Sequence, residues 1–188
     1  MPETAPSSAL GHESDAHACA APSFDRLYDD YFDSVWRTLK ALGVQAATLD
    51  DAVQDVFLAV HRQLPKFEAR SSPKTWLCGI ACHVAANYRR RERRKGGLLP
   101  LDPAMPMLGP NPHDKLEQTR AWSFINAFLA GLDTGKRTVY VLSRFEGLNA
   151  PEIAEAIAIP LNTVYSRIHA VEIEFTRFLS AHGQGDLL

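Results

Sequence analysis

Three cysteines in 188 residues are too few, and wrongly odd in number, to staple a fold with disulfides. A reduced, cytoplasmic setting is the resulting expectation. No apolar run approaches the ~18–20 residues that a membrane-spanning helix requires, so no membrane insertion is expected. The first Lys or Arg is Arg26, which leaves the N-terminus without the basic region that opens a secretory signal. Also missing are a glycine-rich phosphate loop, a His-Glu-x-x-His helix and a nucleophile elbow. The seven histidines are scattered, and His12, His17 and Cys19 match no zinc spacing. Nothing here points to an enzyme, a metal site or another cofactor.

What is present suffices for a core. Hydrophobic residues make up 46% of the chain, and its length allows one domain or two small ones. A net charge of −2 excludes a uniformly basic packaging protein. The charges are nevertheless unevenly spread. Arg89, Arg90, Arg91, Arg93, Arg94 and Lys95 stand within seven residues, interrupted only by Glu92, while ten anions face seven cations after Lys95. Six like charges so close repel one another, and contact with a phosphate backbone accounts for them better than a solvated helix end.

Apolar spacing predicts an all-α chain of two small helical domains joined by a Pro-rich linker. Residues 1–22, rich in Ala, Ser, Pro and acids, read as a disordered tail. Over 23–95 three helices follow. The first carries Phe24, Leu27, Tyr28, Tyr31, Val35, Trp36, Leu39 and Leu42 on one face, with Ser23 as N-cap and Gly43 as stop. The second opens on Thr48 and Asp51 in a capping-box relation and closes at Pro65. The third begins at Ser72–Pro73 and buries Trp76, Leu77, Ile80, Val84 and Tyr88. Five prolines between 96 and 113 mark the linker. Helices resume over 114–183. The segment from Asn149 to Ala170, a short helix broken at Ala158–Ile159–Pro160 and then a longer one, has helix-turn-helix dimensions. In such a motif the first turns of the second helix meet base edges. Asn162, Thr163, Tyr165, Ser166, Arg167 and His169 are then the outward candidates, with Val164 and Ile168 packed inward.

GLNAPEIAEAIAIPLNTVYSRIH resembles region 4 of bacterial sigma-70-family factors of the extracytoplasmic-function (ECF, group IV) type, which typically read G-L-S-x-x-E-I-A-x-x-L-G-I-P-x-G-T-V-x-S-R. LDDAVQDVFLAVHRQLPKFEARSSPKTWLCGIACHVAANYRRRERR resembles their region 2, with its D-x-V-Q-[ED]-x-F core and R-S-S-x-x-T-W-L entry. The two motifs stand in the family's order with a linker between them. The resemblance implies a transcription initiation factor that binds core RNA polymerase and directs it to promoters. The alternative is a helix-turn-helix regulator acting without polymerase; a pure interaction module would leave the basic cluster unexplained. By position, Asp51, Gln54, Asp55 and Phe57 would dock on the β′ coiled coil, although Phe57 also falls on the apolar stripe. Arg70, Ser71, Trp76, His83, Asn87, Arg89, Arg90, Arg91, Arg93 and Arg94 would engage the −10 element, and the six groove candidates the −35 element. Expected partners are core polymerase (β′ and β subunits), promoter DNA in double- and single-stranded form and, as a further candidate, an anti-sigma factor.

Two departures from the family pattern matter. Cys78, Gly79 and His83 replace an aromatic, an Arg and an Asn, so −10 specificity cannot be copied from relatives; Cys78, Cys82 and His83 read as buried small residues and a base-reading candidate rather than metal ligands. Tyr165, Ala170, Glu172 and Glu174 occupy stretches usually basic, which leaves Arg167 as the lone cation of the groove helix before Arg177.

Overall fold

The computed structural model describes residues 22–94 and 112–182, and these form helices without any strand. Helices α1 (Phe24–Ala41), α2 (Leu49–Gln63) and α3 (Pro73–Arg94) pack mutually into a bundle. Leu27, Leu39, Leu42, Leu49, Val56 and Val60 lie fully inside. Helices α4 (Pro112–Gly131), α5 (Thr134–Arg144), α6 (Ala150–Ala156) and α7 (Leu161–His182) form a second unit. Edge-on aromatic contacts hold its far side, with Phe128 centred 4.9 Å from Phe175 and 5.4 Å from Tyr140, and Phe124 4.9 Å from Phe178.

The helix ends follow the sequence cues closely. Ser23 accepts from the Arg26 amide, and Ser72 accepts from the Thr75 amide at 3.0 Å. Gly43 takes φ +90°, and the Val44 amide reaches back to the Leu39 carbonyl at 3.1 Å, which closes α1 as a Schellman motif. Asn149 and Glu152 exchange the two bonds of a capping box at 3.0 and 2.8 Å. Thr48 departs from expectation. A 3-10 turn over Ala46–Thr48 runs straight into α2, and the Thr48 hydroxyl turns back to the Gln45 carbonyl instead of capping. Pro112 and His113, assigned to the linker by composition, belong to α4, because proline is tolerated in a helix's first turn. The N-terminal tail expected over 1–22 and the remaining linker lie outside the described residues, save Pro22.

The two units are in direct contact. Glu146, just past α5 and 5% exposed, accepts from Ser34 at 2.7 Å and from Thr38, both on α1, and lies 3.7 Å from the Lys74 ammonium on α3. Arg137 on α5 donates Nε–H to the Ala41 carbonyl at 2.6 Å, and Arg89 on α3 donates to the Leu42 carbonyl at 2.9 Å. Two guanidinium groups thus satisfy the negative end of α1. Burial and the neighbouring Arg89 charge pull the Arg137 pKa down to about 10. Lys40 stacks between Trp36 and Trp122, at 5.2 and 5.1 Å. At Gly79 an added Cβ would stand 2.6 Å from the Ala156 carbonyl oxygen, so α6 rests on α3 backbone to backbone.

Ala158, in the break between α6 and α7, adopts φ +52°, a region that penalises a Cβ by about 1–2 kcal/mol. The family pattern carries Gly at this position. Ala158→Gly is expected to stabilise the protein by about 0.5–1 kcal/mol after the greater freedom of unfolded glycine is offset. A thermal melt should rise by roughly 1–4 °C. A fall would show that the backbone there is not strained.

Candidate nucleic-acid and polymerase interface

α3 carries one continuous outward row. His83, Asn87, Arg90 and Arg94 follow at spacings of three and four, which puts them on one helix face. His83, Arg90 and Arg94 are exposed and Asn87 half-buried. Arg93 is exposed beside them, and Arg91 lies over the Tyr88 ring at 5.4 Å. Phe67, ahead of the helix, meets the half-buried Trp76 of its first turn at 4.8 Å, and the two form an aromatic ledge. Between them Arg70 pairs with Glu68 at 2.5 Å, Ala69 holds φ +52°, and Ser71 is half-buried. Arg89 alone of the expected cations points the other way. Its bond to the end of α1 and its burial, which lowers its pKa, hold it away from any phosphate in this arrangement.

On α2, Asp51, Gln54 and Leu58 are exposed and share one outward stripe, with Asp50, His61, Arg62 and Gln63 also exposed. Leu58, 44% exposed, was not among the expected contacts, although its i+4 relation to Gln54 placed it on that stripe. Phe57 is corrected: at 4% exposure it sits among Phe24, Tyr28 and Phe32, with the Tyr28 ring at 4.7 Å, and belongs to the core. Asp55 is half-buried and accepts from the Tyr88 hydroxyl at 2.8 Å. Burial, then that bond, push the Tyr88 pKa up to about 12. Asp55 therefore ties α2 to α3 as well as facing outward.

In the second unit α6, the turn and α7 form the expected helix-turn-helix, with Ile153 and Val164 fully buried. Asn162, Tyr165, Ser166 and His169 are exposed on α7, and Thr163 is half-buried. Arg167 is not turned outward as spacing suggested. Its guanidinium lies over Gly135 of α5, where an added Cβ would meet it at 2.8 Å. The remaining cations nearby are paired internally. Lys136 binds Glu174 at 2.6 Å and Asp133 at 3.3 Å, and Arg144 binds Glu172 at 3.0 Å.

Comparison with known proteins fits this geometry. Residues 27–95 match the family described as Sigma-70 region 2, and residues 125–171 match Sigma-70, region 4. The ECF RNA polymerase sigma factor SigC of Mycobacterium tuberculosis is 30% identical over 140 residues, covering 71% of this chain and 71% of that protein. The chain belongs to the ECF RNA polymerase sigma factors. The ferric citrate uptake sigma factor FecI of Escherichia coli is 29% identical over 152 residues, or 79% of this chain and 86% of that one. Among solved structures, the sigma factor RpoE of Bartonella quintana in complex with the anti-sigma factor NepR aligns at TM-score 0.67 with 18% identity, covering 85% of this chain and 98% of that one. CnrH in complex with the cytosolic domain of CnrY aligns at TM-score 0.63 with 23% identity, covering 85% and 88%. Both likenesses are of fold. As a sigma factor the protein is a transcription initiation factor that works with core RNA polymerase on promoter DNA, and sigma factors are regulatory subunits. The alternative of a regulator acting without polymerase is not favoured. None of the described helices is long and apolar enough to cross a membrane.

Cys78 and Cys82 lie on the side of α3 that α6 covers, and Cys78 is part of the apolar cluster formed with Val139, Leu142, Ile153 and Val164. Burial pushes both thiols up, Cys82 to about 12, and the Glu146 carboxylate raises Cys78 further. Neither should alkylate readily at pH 8 in the closed protein. Gly79→Leu must drive α6 off α3, and overpacking by about 1–3 kcal/mol predicts a rise in alkylation rate of about 5- to 150-fold in a Cys19→Ser background. Rapid alkylation of the parent, at the rate of the unfolded chain, would contradict the closed packing.

Proposed function

We propose that the two units divide promoter recognition between them. The first, over 23–95, docks on the polymerase β′ coiled coil through Asp51, Gln54 and the outward side of Asp55, with Leu58 supplying the apolar centre that interfaces favour. It takes the −10 element along the row His83, Asn87, Arg90 and Arg94, with Arg91, Arg93, Arg70 and Ser71 beside it. The ledge of Phe67 and Trp76 offers a face on which an unstacked base can rest. The second unit, over 114–183, reads the −35 element with Asn162, Thr163, Tyr165, Ser166 and His169 from the first turns of α7. The observation that carries this reading is the row on α3, exposed except at the half-buried Asn87, flanked by a stacking surface and ending in arginines. Arg89 is left out because its guanidinium bonds to the end of α1, and Arg167 because helical spacing puts it off this face, over Gly135.

Elements named −10 and −35 are centred about 25 base pairs apart, or ~85 Å at ~3.4 Å per pair. With α6 resting on α3, the two reading surfaces cannot span that distance. The packed arrangement is thus the form before promoter engagement, and the two units must part for both elements to be read. An anti-sigma factor, the kind of partner that both solved neighbours bind, is a further expected partner and could act by holding the units together.

Replacing Arg90, Arg93 and Arg94 by Ala should weaken holoenzyme binding to promoters and lower the log–log salt slope. The reduction is up to ~0.9 for each duplex phosphate no longer neutralised and ~0.7 for each single-strand phosphate. Arg89→Ala should leave the slope unchanged and lower thermal stability instead. An unchanged slope in the triple variant would remove the −10 assignment. For docking, Leu58→Arg should reduce core-polymerase affinity by at least ~10-fold with unchanged circular dichroism. Parent-like affinity would show that the α2 face is not the docking surface.

A further inference from the structure

α7 exposes two large apolar side chains one turn apart at its N-terminal end. Leu161 is 39% exposed and Tyr165 54%. Isolated exposed apolar residues are ordinary on a protein surface, but these two share one edge of a face. Helical spacing puts Asn162 and Ser166 on the other edge, with His169 between them. The Ser166 hydroxyl already donates to the Thr163 carbonyl at 3.0 Å, which commits its proton within the helix.

The cations around α7 are paired, buried or turned off this face. Lys136 and Arg144 pair with the α7 carboxylates Glu174 and Glu172, Arg137 is buried against α1, and Arg167 lies over Gly135. Arg177 is exposed, but it lies 16 residues beyond Leu161, or ~24 Å along the helix axis. On this face at the tip of α7, Asn162 and His169 are therefore the side chains on offer for hydrogen bonding, and Leu161 and Tyr165 for apolar contact. In the major groove the apolar group on offer is the thymine C5-methyl. Tyrosine suits the position, because an apolar ring meets the methyl while its hydroxyl stays solvated or reaches an acceptor.

We propose that Leu161 and Tyr165 are specificity-determining residues that read thymine methyl groups in the −35 element, in place of a cation-based reading. This rests on α7 being the −35 helix and states what that helix selects. Such contacts are largely indifferent to salt, so the −35 contribution should persist at ionic strengths that weaken the arginine row of α3.

The test uses full-length protein in holoenzyme, on the best promoter selected from a randomised library. Each −35 thymine is replaced in turn by deoxyuridine, which deletes the methyl and nothing else. Each contacted methyl should be worth about fourfold in affinity, the equivalent of ~0.8 kcal/mol for one buried methylene-sized group. Tyr165→Ser should lose the thymine–deoxyuridine difference at one position and Leu161→Asn at a neighbouring one. Tyr165→Phe, which keeps the ring, should retain it. If thymine and deoxyuridine bind equally while scrambling the −35 element still weakens binding, the methyl reading is overturned and the −35 role of α7 stands. If scrambling has no effect, the −35 role itself fails. Loss of discrimination in Tyr165→Phe would assign the contact to the hydroxyl and overturn the proposal. Equal weakening by Tyr165→Ser on promoters with and without a −35 element would place the residue against polymerase and overturn it too.

Discussion

Burying a carboxylate between two helical units is costly unless hydrogen bonds and an opposite charge compensate it, and Glu146 has its two hydroxyl donors and its ammonium only when the units are together. Ser34 and Thr38 come from α1 and Lys74 from α3, so one side chain of the second unit reads the relative placement of two helices in the first. Arg137 works in the opposite sense, carrying a positive group from α5 to the carbonyl end of α1. The pairing is specific because either group, left alone in that interface, would face an uncompensated desolvation penalty. Close approach of α6 at Gly79 then depends on these polar contacts holding the angle between the units.

Much of the local architecture was legible in the sequence because its signals are local. Ser23, Gly43, Ser72 and Asn149 act within three or four residues of themselves, and the structure uses each as spacing suggested. Legibility failed where a side chain's partner lies far along the chain. Arg89 reads as one of a run of cations until the end of α1, 47 residues earlier, takes its guanidinium. Arg167 reads as a groove cation until a glycine in α5 opens a resting place for it. Phe57 is ambiguous between partner and core by spacing alone, and aromatic neighbours on α1 decide for core. Leu58 lies on the outward stripe, but a single apolar side chain among charged neighbours gives no signal of its own. Contact between the two units had no sequence signal beyond the small side chains at Cys78, Gly79 and Cys82.

The charge distribution separates two modes of holding DNA. Along α3 the arginines stand outward and act at a distance, so they favour early, salt-sensitive encounter. Around α7 the same chemistry is neutralised at the surface, as in the Arg144–Glu172 and Lys136–Glu174 pairs. Exposed pairs of this sort add little stability. Their larger effect is to leave short-range shape and hydrogen bonding as what the second unit can offer a duplex.

Cys78 belongs by chain position to the first unit and by packing to the apolar cluster of the second, with Ile153 and Val164. A unit that borrows part of its interior from its neighbour does not melt independently of it. While closed, the free protein should therefore unfold in one cooperative heat-absorption transition rather than two, its calorimetric and van't Hoff enthalpies agreeing, despite a proline-rich tether that would suggest separable modules.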